Sequence, residues 1–302
     1  MNRKEKTLSW HKVLGALLLL FSFCGTLRAQ DLPLMGLSHV GIAVSDIDRG
    51  KQFYNGVLGI DMAFTLVWPD TKALWLQYYK VNENDYIEIY PTLKPGAINR
   101  ETHIAFQTDD LVKLHQMMEA RGLKPQPLGK IGPDGNWGFN LLTDPGQGVP
   151  LEFVQYMPGS LHINSRGKSL SERRISTHMI GVGVLISDPA AAESLYKTLG
   201  FKEVWRGTDE DGKVRLIDLQ LPGGSGDYVE LVERTLPVTA EQAGRAGHIA
   251  LEVSDIQAAY KKAKARNANI VNTPALNGRK VMNFSILDPD NTTIMFQQAA
   301  HR

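Results

Sequence analysis

Short runs in which apolar and polar residues alternate recur along the chain, and each leads into a stretch with helical spacing. HVGIAVSD begins at His39, HIAFQTDD at His103, GVGVLISD at Gly181 and HIALEVSD at His248. Alternation with a period of two predicts a half-buried strand whose side chains point to opposite faces in turn. The stretches that follow, such as DLVKLHQMMEARGL and DIQAAYKKAKARNA, have the spacing of amphipathic helices. The pattern therefore predicts the same strand and helix four times.

An aspartate stands at the same place in each of these runs and predicts where the helix begins. These residues are Asp46, Asp110, Asp188 and Asp255. An aspartate side chain accepts hydrogen bonds from the unpaired amides of a first helical turn. Glycine favours the left-handed conformation that ends a helix, and glycines follow three of the predicted helices, at Gly59, Gly122 and Gly200.

Short β-type runs separated by turn sequences follow each helix, and the last of them are YIEIY, PLEFVQY, YVELVER and TIMFQQ. The predicted unit is a β-α-β-β-β module, and the fold class is α+β. The modules span 34–95, 100–158, 176–235 and 244–300. They make a first domain over 34–158, a linker over 159–175 and a second domain over 176–300.

Composition adds limits to this picture. The chain has 302 residues, 43% of them hydrophobic and 22% charged, which is typical of a soluble globular protein. With 33 basic and 32 acidic residues the net charge is +1, so nothing in the charge balance indicates a nucleic-acid partner. A small-molecule substrate is the expected partner, and the sequence does not predict an oligomeric state.

Residues 1–29 have the features of a secretory signal peptide. A basic start, MNRKEKTLSWHK, precedes the apolar run VLGALLLLFSFCGTL and the cleavage-type sequence LRAQ. We expect a mature chain that starts near Gln30, lies in the periplasm or is secreted, and has no stable membrane span. An uncleaved anchor is the alternative. Cys24 is the only cysteine, so the exported chain would use no thiol or disulfide.

Strand periodicity places histidines and glutamates on the face opposite the apolar side chains. Val40, Ile42 and Val44 share one face of the first strand, so His39 lies on the other face with Gly41. The same alternation turns Glu88, Glu152 and Glu230 away from their apolar neighbours, and it puts His103 beside small residues. A carboxylate within such a strand is costly unless it is paired or coordinated.

Equal spacing relates these residues to each other. The distance along the chain from His39 to Glu88 equals that from His103 to Glu152. Equal spacing in repeated modules means equivalent structural positions. Two histidines and two glutamates in matched places suit one divalent ion, either Zn, Ni, Mn or Fe(II).

The four modules, with a histidine in the first strand and a glutamate in the last, resemble the vicinal oxygen chelate superfamily. That superfamily contains glyoxalase I, extradiol dioxygenases, methylmalonyl-CoA epimerase, and fosfomycin- and bleomycin-resistance proteins. The resemblance covers essentially all of the mature chain. It implies that two modules pair and curl their mixed sheets around one metal cleft. It also implies the metal ligands His39, Glu88, His103 and Glu152.

The resemblance implies three possible activities. Four ligands of the His, Glu, His, Glu kind are similar to bacterial glyoxalase I, a lyase in which a glutamate moves a proton beside a carbonyl. Glu152 is then the expected catalytic base, with Glu88 as the alternative. An extradiol dioxygenase would use His39, His103 and Glu152, but the histidine and tyrosine that precede the DP turn in that family are missing here. A non-catalytic binder of the resistance type is the third possibility.

The second half departs from the ligand pattern. Gly181 and Met295 stand at two of its ligand positions, and only Glu230 and His248 remain in register. We therefore expect a degenerate site there. His178 lies at an odd offset that should turn it to the wrong face unless a bulge intervenes. His115 and His162 are interpreted as non-ligands, and five aromatic residues are assigned to the core: Trp68, Trp75, Trp137, Tyr86 and Tyr90.

Overall fold

The computed structural model describes residues 30–97, 100–144, 146–208, 214–223, 225–234, 239 and 247–299. The chain divides into two compact units, Met1–Asp31 and Leu32–Arg302, and both sheets belong to the second unit. The predicted signal peptide, 1–29, lies outside the described residues. Within the described ranges, no helix combines the length and apolar character needed to cross a membrane.

The predicted aspartates cap the four main helices. Asp46 accepts from the amides of Asp48 and Arg49, and Asp110, Asp188 and Asp255 accept in the same way from their own first turns. A cap of this kind stabilises a helix by about 1 kcal/mol. The helices are α1 Ile47–Lys51, which continues as a π-helical segment Gln52–Val57, α2 Leu111–Ala120, α3 Leu161–Asn164, α4 Pro189–Thr198 and α5 Ile256–Ala265.

The first half forms one seven-stranded mixed sheet. Its strands are β1 Leu34–Ala43, β2 Met62–Val67, β3 Leu74–Lys80, β4 Tyr86–Tyr90, β5 Glu101–Thr108, β6 Trp137–Leu141 and β7 Leu151–Gln155. Their order across the sheet is β2-β3-β4-β1-β5-β7-β6. The first strands of the two modules, β1 and β5, pair antiparallel at the centre, and each has the last strand of its own module as a parallel neighbour. The two modules are therefore joined edge to edge.

The second half repeats this arrangement in a sheet of nine strands. They are β8 His178–Ile186, β9 Lys202–Thr208, β10 Val214–Gln220, β11 Tyr228–Glu233, β12 His248–Val253, β13 Asn269–Ile270, β14 Ala275–Leu276, β15 Met282–Leu287 and β16 Thr293–Gln298. The main path is β13-β15-β16-β12-β8-β11-β10-β9, and β14 pairs with β15. The α+β class and the two mixed sheets agree with the sequence prediction, while the exact domain boundaries stay predictions.

The second module departs from the predicted pattern, because its described residues, 100–144 and 146–158, form only three strands: β5, β6 and β7. The segment where another strand was expected contains Pro125 and Pro127. A proline has no amide hydrogen to donate to a neighbouring strand. Gln126, the residue between the two prolines, donates its backbone amide to the carbonyl of Asn140 in β6 at 2.7 Å. Among the described residues, the segment around the prolines therefore makes one backbone hydrogen bond to β6.

Helices cover one face of each sheet, and the side chains buried there form one continuous core through both halves. Its largest members include Tyr54, Tyr79, Phe106, Phe153, Tyr196, Phe284 and Phe296. A smaller cluster of Leu66, Leu76, Tyr78 and Tyr86 is separate from this core. The histidines and glutamates of the repeated motifs are therefore left to the face that no helix of their own module covers.

Two equivalent aspartates join the halves. Asp85 stands just before β4, and its Oδ2 accepts from the amide of Met179 in β8 at 3.1 Å. Asp227 stands just before β11, and its Oδ2 accepts from the amide of Leu37 in β1 at 2.9 Å. Each half thus provides a carboxylate for the first strand of the other half. The ring of His178 lies 3.0 Å from Asp227 Oδ1, which adds an ion pair to this contact.

Candidate metal centre in the first half

The four predicted ligands meet at the centre of the first sheet. In the strand register Gly41 faces both Glu88 and His103, while Ala105 faces both His39 and Glu152. Glycine and alanine leave open space above the sheet, and the four larger side chains converge into it. A side chain at Gly41 would collide with the ring of His103.

Short distances join these side chains. The Nε2 atoms of His39 and His103 are 3.0 Å apart, and Glu152 Oε2 lies 3.2 Å from the first and 3.3 Å from the second. These three atoms lie within 4.8 Å of one another and could hold a metal ion. Glu88 is not in that three-residue group, but its oxygens lie 3.2 Å from His39 Nε2 and 3.5 Å from His103 Nε2.

The donor set and spacing fit a divalent ion. Neighbouring ligands that each lie about 2.1 Å from one ion are roughly 3.0 to 3.4 Å apart, and the three distances within the His39, His103 and Glu152 group lie in this range. Imidazole nitrogen and carboxylate oxygen together suit Zn, Ni, Mn or Fe(II), so the donor set does not select one of these metals. A His-His-Glu group that could bind a metal is present, and the assignment of all four residues as ligands remains a prediction.

One buried carboxylate, Glu88, and one partly exposed carboxylate, Glu152, give this cluster an affinity for positive charge. Burial alone lowers the pKa of His39, but Glu88 and Glu152 outweigh burial and raise it to about 9. Burial raises the pKa of Glu152, and its contact with His39 reverses this and lowers the pKa to about 2. A proton on His39 thus balances charge that a divalent ion would balance more fully, and the ion would have to displace that proton.

Hydroxyl groups orient both imidazoles. Thr102 Oγ1 lies 3.0 Å from His103 Nδ1, and Ser38 Oγ lies 3.1 Å from His39 Nδ1. In both modules the hydroxyl comes from the residue immediately before the histidine. A hydroxyl that accepts the Nδ1 proton leaves the Nε2 lone pair free to bind a metal.

For His39 the direction of this bond follows from a chain of hydrogen bonds. Tyr156 donates its only hydroxyl proton to the carbonyl of Asn84 at 2.9 Å. Its oxygen must then accept from Ser38 Oγ, 2.6 Å away. Ser38 has spent its proton in that bond, so it accepts from His39 Nδ1. When an ion displaces the second proton of His39, the lone pair of Nε2 therefore points into the cluster.

A tyrosine hydroxyl also holds Glu88. The hydroxyl of Tyr90 donates to Glu88 Oε2 at 2.5 Å. Burial, and after it the charge of Glu88, raises the pKa of the Tyr78 hydroxyl well above its usual value, so Tyr78 stays protonated. Sequence analysis assigned Tyr90 to the core, yet it lies against the site. Its position two residues after Glu88, on the same face of β4, was the available signal.

Solvent reaches the cluster from one direction. The side chains of Glu88 and His39 are 2% and 4% exposed, whereas those of His103 and Glu152 are 13% and 28% exposed. Glu152 therefore lies on the open side of the cluster.

Comparison with known proteins agrees with this architecture. Residues 36–153 and 178–296 match the family model described as the Glyoxalase/Bleomycin resistance protein/Dioxygenase superfamily. The chain belongs to this superfamily. The match falls on both repeated halves, as the resemblance in sequence implied, and comparison with curated proteins gives no match.

Solved structures of extradiol dioxygenases in the superfamily share the fold. A ring-cleaving dioxygenase from B. fuscum has a TM-score of 0.66 and 17% identity over 91% of this chain and 74% of that chain. Homoprotocatechuate 2,3-dioxygenase from Brevibacterium fuscum, in complex with 3,4-dihydroxyphenylacetate, gives 0.62 and 18% over 91% and 83%. The homoprotocatechuate enzyme from Arthrobacter globiformis gives 0.64 and 16% over 93% and 84%. Identity this low establishes the fold and not the reaction.

Helix α3, in the segment that follows the first superfamily repeat, packs against the aromatic cluster of Tyr78 and Tyr86. His162 in α3 is 1% exposed and is surrounded by the rings of Phe64, Tyr78, Tyr86 and Tyr156, at 4.3 to 5.0 Å between centroids. The side-chain amide of Asn136 donates to Nδ1 of His162 at 2.6 Å. Lys80 and Tyr86 bind Ser165, just after the helix.

His162 lies in the predicted linker, and its burial in this aromatic cage was not predicted from the sequence. Burial, and then the charge of His39, lowers the pKa of His162 to about 2, so its ring stays neutral. It does not belong to the His39, His103 and Glu152 group among the described residues. The local sequence gave no signal for the cage, because the cage forms from strands far away along the chain.

Among the other residues considered from sequence, His178 does not lie on the face that its odd offset indicated, because a register shift between Met179 and Gly181 interrupts β8. Met179 packs in the core with Val182, so His178 is on the same face as Gly181. His178 binds Asp227 and also Glu252, at 3.2 Å, and it faces the contact between the halves. His115 lies in α2 near Glu119 and Phe139, away from the cluster. Trp68 and Trp75 stack on each other, and Trp68 is exposed, so Trp68 is not a core residue.

Proposed function

We propose that this superfamily member is a metal-dependent lyase or isomerase of the glyoxalase I kind, which moves a proton on a carbon next to a carbonyl. Glu88 is the observation that carries the proposal. It is a buried carboxylate in contact with both histidines, and Tyr90 fixes it in place. It supplies a fourth protein ligand, which a ring-cleaving site with two histidines and one glutamate does not need.

The residues divide the work. His39, Glu88, His103 and Glu152 would hold the ion, and a divalent ion in this place would polarise a carbonyl oxygen and stabilise negative charge on it. Glu88 and His39 are buried and fixed, so they act as permanent ligands. Glu152 is the most exposed of the four and lies where substrate enters, so it is the better base, and Glu88 is the alternative.

Glu152 must separate from His39 in order to act as a base. In contact with His39 its pKa is about 2, and a carboxylate with such a low pKa is a weak base. Movement toward the open side would remove that contact and raise its pKa toward the ordinary value. The 28% exposure of its side chain leaves room for this movement.

Extradiol ring cleavage is the second candidate, because His39, His103 and Glu152 alone form a two-histidine, one-carboxylate group. The solved structures with similar folds include dioxygenases. Against it stands the lack of an acid-base histidine near the cluster among the described residues, since His162 is neutral and enclosed. Glu88 would also have no role.

A pair of assays separates the two candidates. The mature protein, loaded with each metal in turn, is incubated in heavy water with hemithioacetals and with 2-oxo and 2-hydroxy acids. Deuterium in recovered substrate or product supports proton transfer. The same preparations are tested with catechols at an oxygen electrode. Oxygen consumption with ring cleavage, and no deuterium incorporation, contradicts the glyoxalase-type proposal.

Glutamine variants test the roles of the two carboxylates. Glu152→Gln should retain much of the metal and lower turnover by roughly 10²-fold or more, the scale of general-base catalysis. Glu88→Gln should lower metal content as well as turnover. Glu230→Gln, at the equivalent strand position in the second half, is the matched control and should leave the metal content of the first site unchanged. Periplasmic or secreted location and a small-molecule substrate remain part of this proposal.

A further inference from the structure

The second half keeps the strand register of the metal-binding half. Gly183 in β8 faces both Glu230 and His248, as Gly41 in β1 faces Glu88 and His103. A side chain at Gly183 would collide with the ring of His248, just as one at Gly41 would collide with His103. Two of the four positions therefore hold the same residue types in the same arrangement.

Other side chains fill the two positions that have changed. Gly181 replaces the first histidine, and the ring of Tyr228 lies against it, where a side chain would otherwise be. Tyr228 donates its hydroxyl to Gln297 at 3.0 Å. Met295 replaces the second glutamate. This half thus lacks two ligands, and the space of one is filled by an aromatic ring.

Arg279 provides a positive charge at this place. Its guanidinium forms an ion pair with Glu230 and lies 2.8 Å from Asp218 Oδ2. The rings of Trp205 and Tyr228 flank it at 5.2 and 5.0 Å. Its side chain is only 13% exposed. A guanidinium held by two carboxylates and two aromatic faces is fixed in position.

Asp218 adds a carboxylate that the first half does not have. It faces Glu230 across β10 and β11, where the first half has Tyr78 facing Glu88. Asp218 is 3% exposed, and its Oδ1 is buried without a hydrogen-bond partner in the part of the chain that the structure describes. Each half therefore has two carboxylates at this place, although one of them lies on a different strand in the second half, where both are buried.

We propose that the second half is a metal-type site in which the guanidinium of Arg279 takes the place of the ion. Removal of that side chain uncovers a divalent-cation site made by Glu230, Asp218 and His248. His248 Nε2 lies 3.8 Å from Glu230 Oε1, close enough to join the ligand set after a small adjustment. Buried carboxylates without a cation are strongly unfavourable, so the uncovered site would select a replacement charge.

The test compares metal binding in the parent chain and in Arg279→Ala. Both proteins are incubated with zinc, dialysed and analysed for bound metal, and the same is done with cobalt, whose visible spectrum reports coordination. The variant should bind one equivalent more than the parent. Its melting temperature should rise with zinc by several degrees more than that of the parent. The readout is a difference, so it does not depend on whether the first half holds an ion or on the proposed reaction.

Three further variants make the result specific. Arg279→Lys keeps a cation and should gain no ion. Arg279→Ala combined with Glu230→Gln should lose the extra equivalent. Arg279→Met preserves volume and should behave like Arg279→Ala, including when either folds only with zinc present. If neither Arg279→Ala nor Arg279→Met takes up an additional ion, whether folded or unfolded with zinc, the proposal is overturned.

Discussion

Hydroxyl groups decide which nitrogen the paired histidines turn toward the candidate metal. Ser38 and Tyr156 form a hydrogen-bond chain of fixed direction behind His39, and it ends at the carbonyl of Asn84. Thr102 plays the same part for His103 through a single contact. The two histidines are equivalent by register, but the first is held by the longer network. Loss of a distant member of that network should therefore weaken the site.

At this scale we predict that Tyr156→Phe lowers metal affinity by roughly 10- to 100-fold, the range found for groups that orient metal ligands. The ring remains, and only the hydroxyl that accepts from Ser38 is lost. Tyr54→Phe is the matched control, because it removes a buried hydroxyl that binds Asp288 instead. Competition with a chromophoric chelator measures both affinities. Equal affinities in the two variants would show that the chain does not orient His39.

At the scale of single elements, what could be predicted from sequence depended on how far apart the interacting residues are. The aspartate caps follow from one turn of chain, and all four form as predicted. The His and Glu set followed from equal spacing in repeated modules, and the structure brings the four side chains together. Tyr156, His162 and Arg279 escaped prediction because their contacts join distant segments that no local pattern relates.

Gly41 in the central strand β1 lies between two of the predicted ligands, Glu88 and His103, and leaves room for their side chains. Gly41→Ala should push His103 and Thr102 away and reduce metal affinity by about tenfold or more. Gly183→Ala creates the same collision with His248 and should leave metal affinity unchanged. Both variants should be destabilised by roughly 1–3 kcal/mol through overpacking. Chemical denaturation measures the loss of stability, and metal titration measures the loss of affinity. An equal loss of metal in both variants would show that the ion is not bound in the first half.

At the scale of the whole molecule, the contact between the halves should make stability depend on pH. The bond to Asp227 raises the pKa of His178 to about 9, helped by Asp85 and Glu252 and opposed by burial. A histidine with a raised pKa stabilises the folded state fully below its unfolded value near 6.5. This contribution is lost as the pH rises to 9.

Asp85 acts in the same direction over a lower range. Burial, and then the charge of Asp227, raises its pKa to about 7, so stability also falls as Asp85 ionises. To isolate the histidine, urea unfolding of the parent and of His178→Gln is compared at pH 6.5 and pH 9. The parent should lose more unfolding free energy than the variant over this interval. Parallel losses would mean that His178 carries no charge in the folded protein.

Aromatic rings surround the imidazole of His162 as they would surround a small heteroaromatic ligand. Here the chain itself supplies that ring. His162→Ala would leave a space of imidazole shape between Tyr156, Tyr86 and Phe64, and the loss of packing should cost about 2–4 kcal/mol. Free imidazole should enter that space and restore part of the melting temperature, as small aromatic molecules fill engineered cavities. Neither the parent nor His115→Ala should gain from imidazole to the same degree. If the rescue occurs, a soluble ligand can replace the side chain of His162, and the surroundings of the site can be changed without substitutions in its strands.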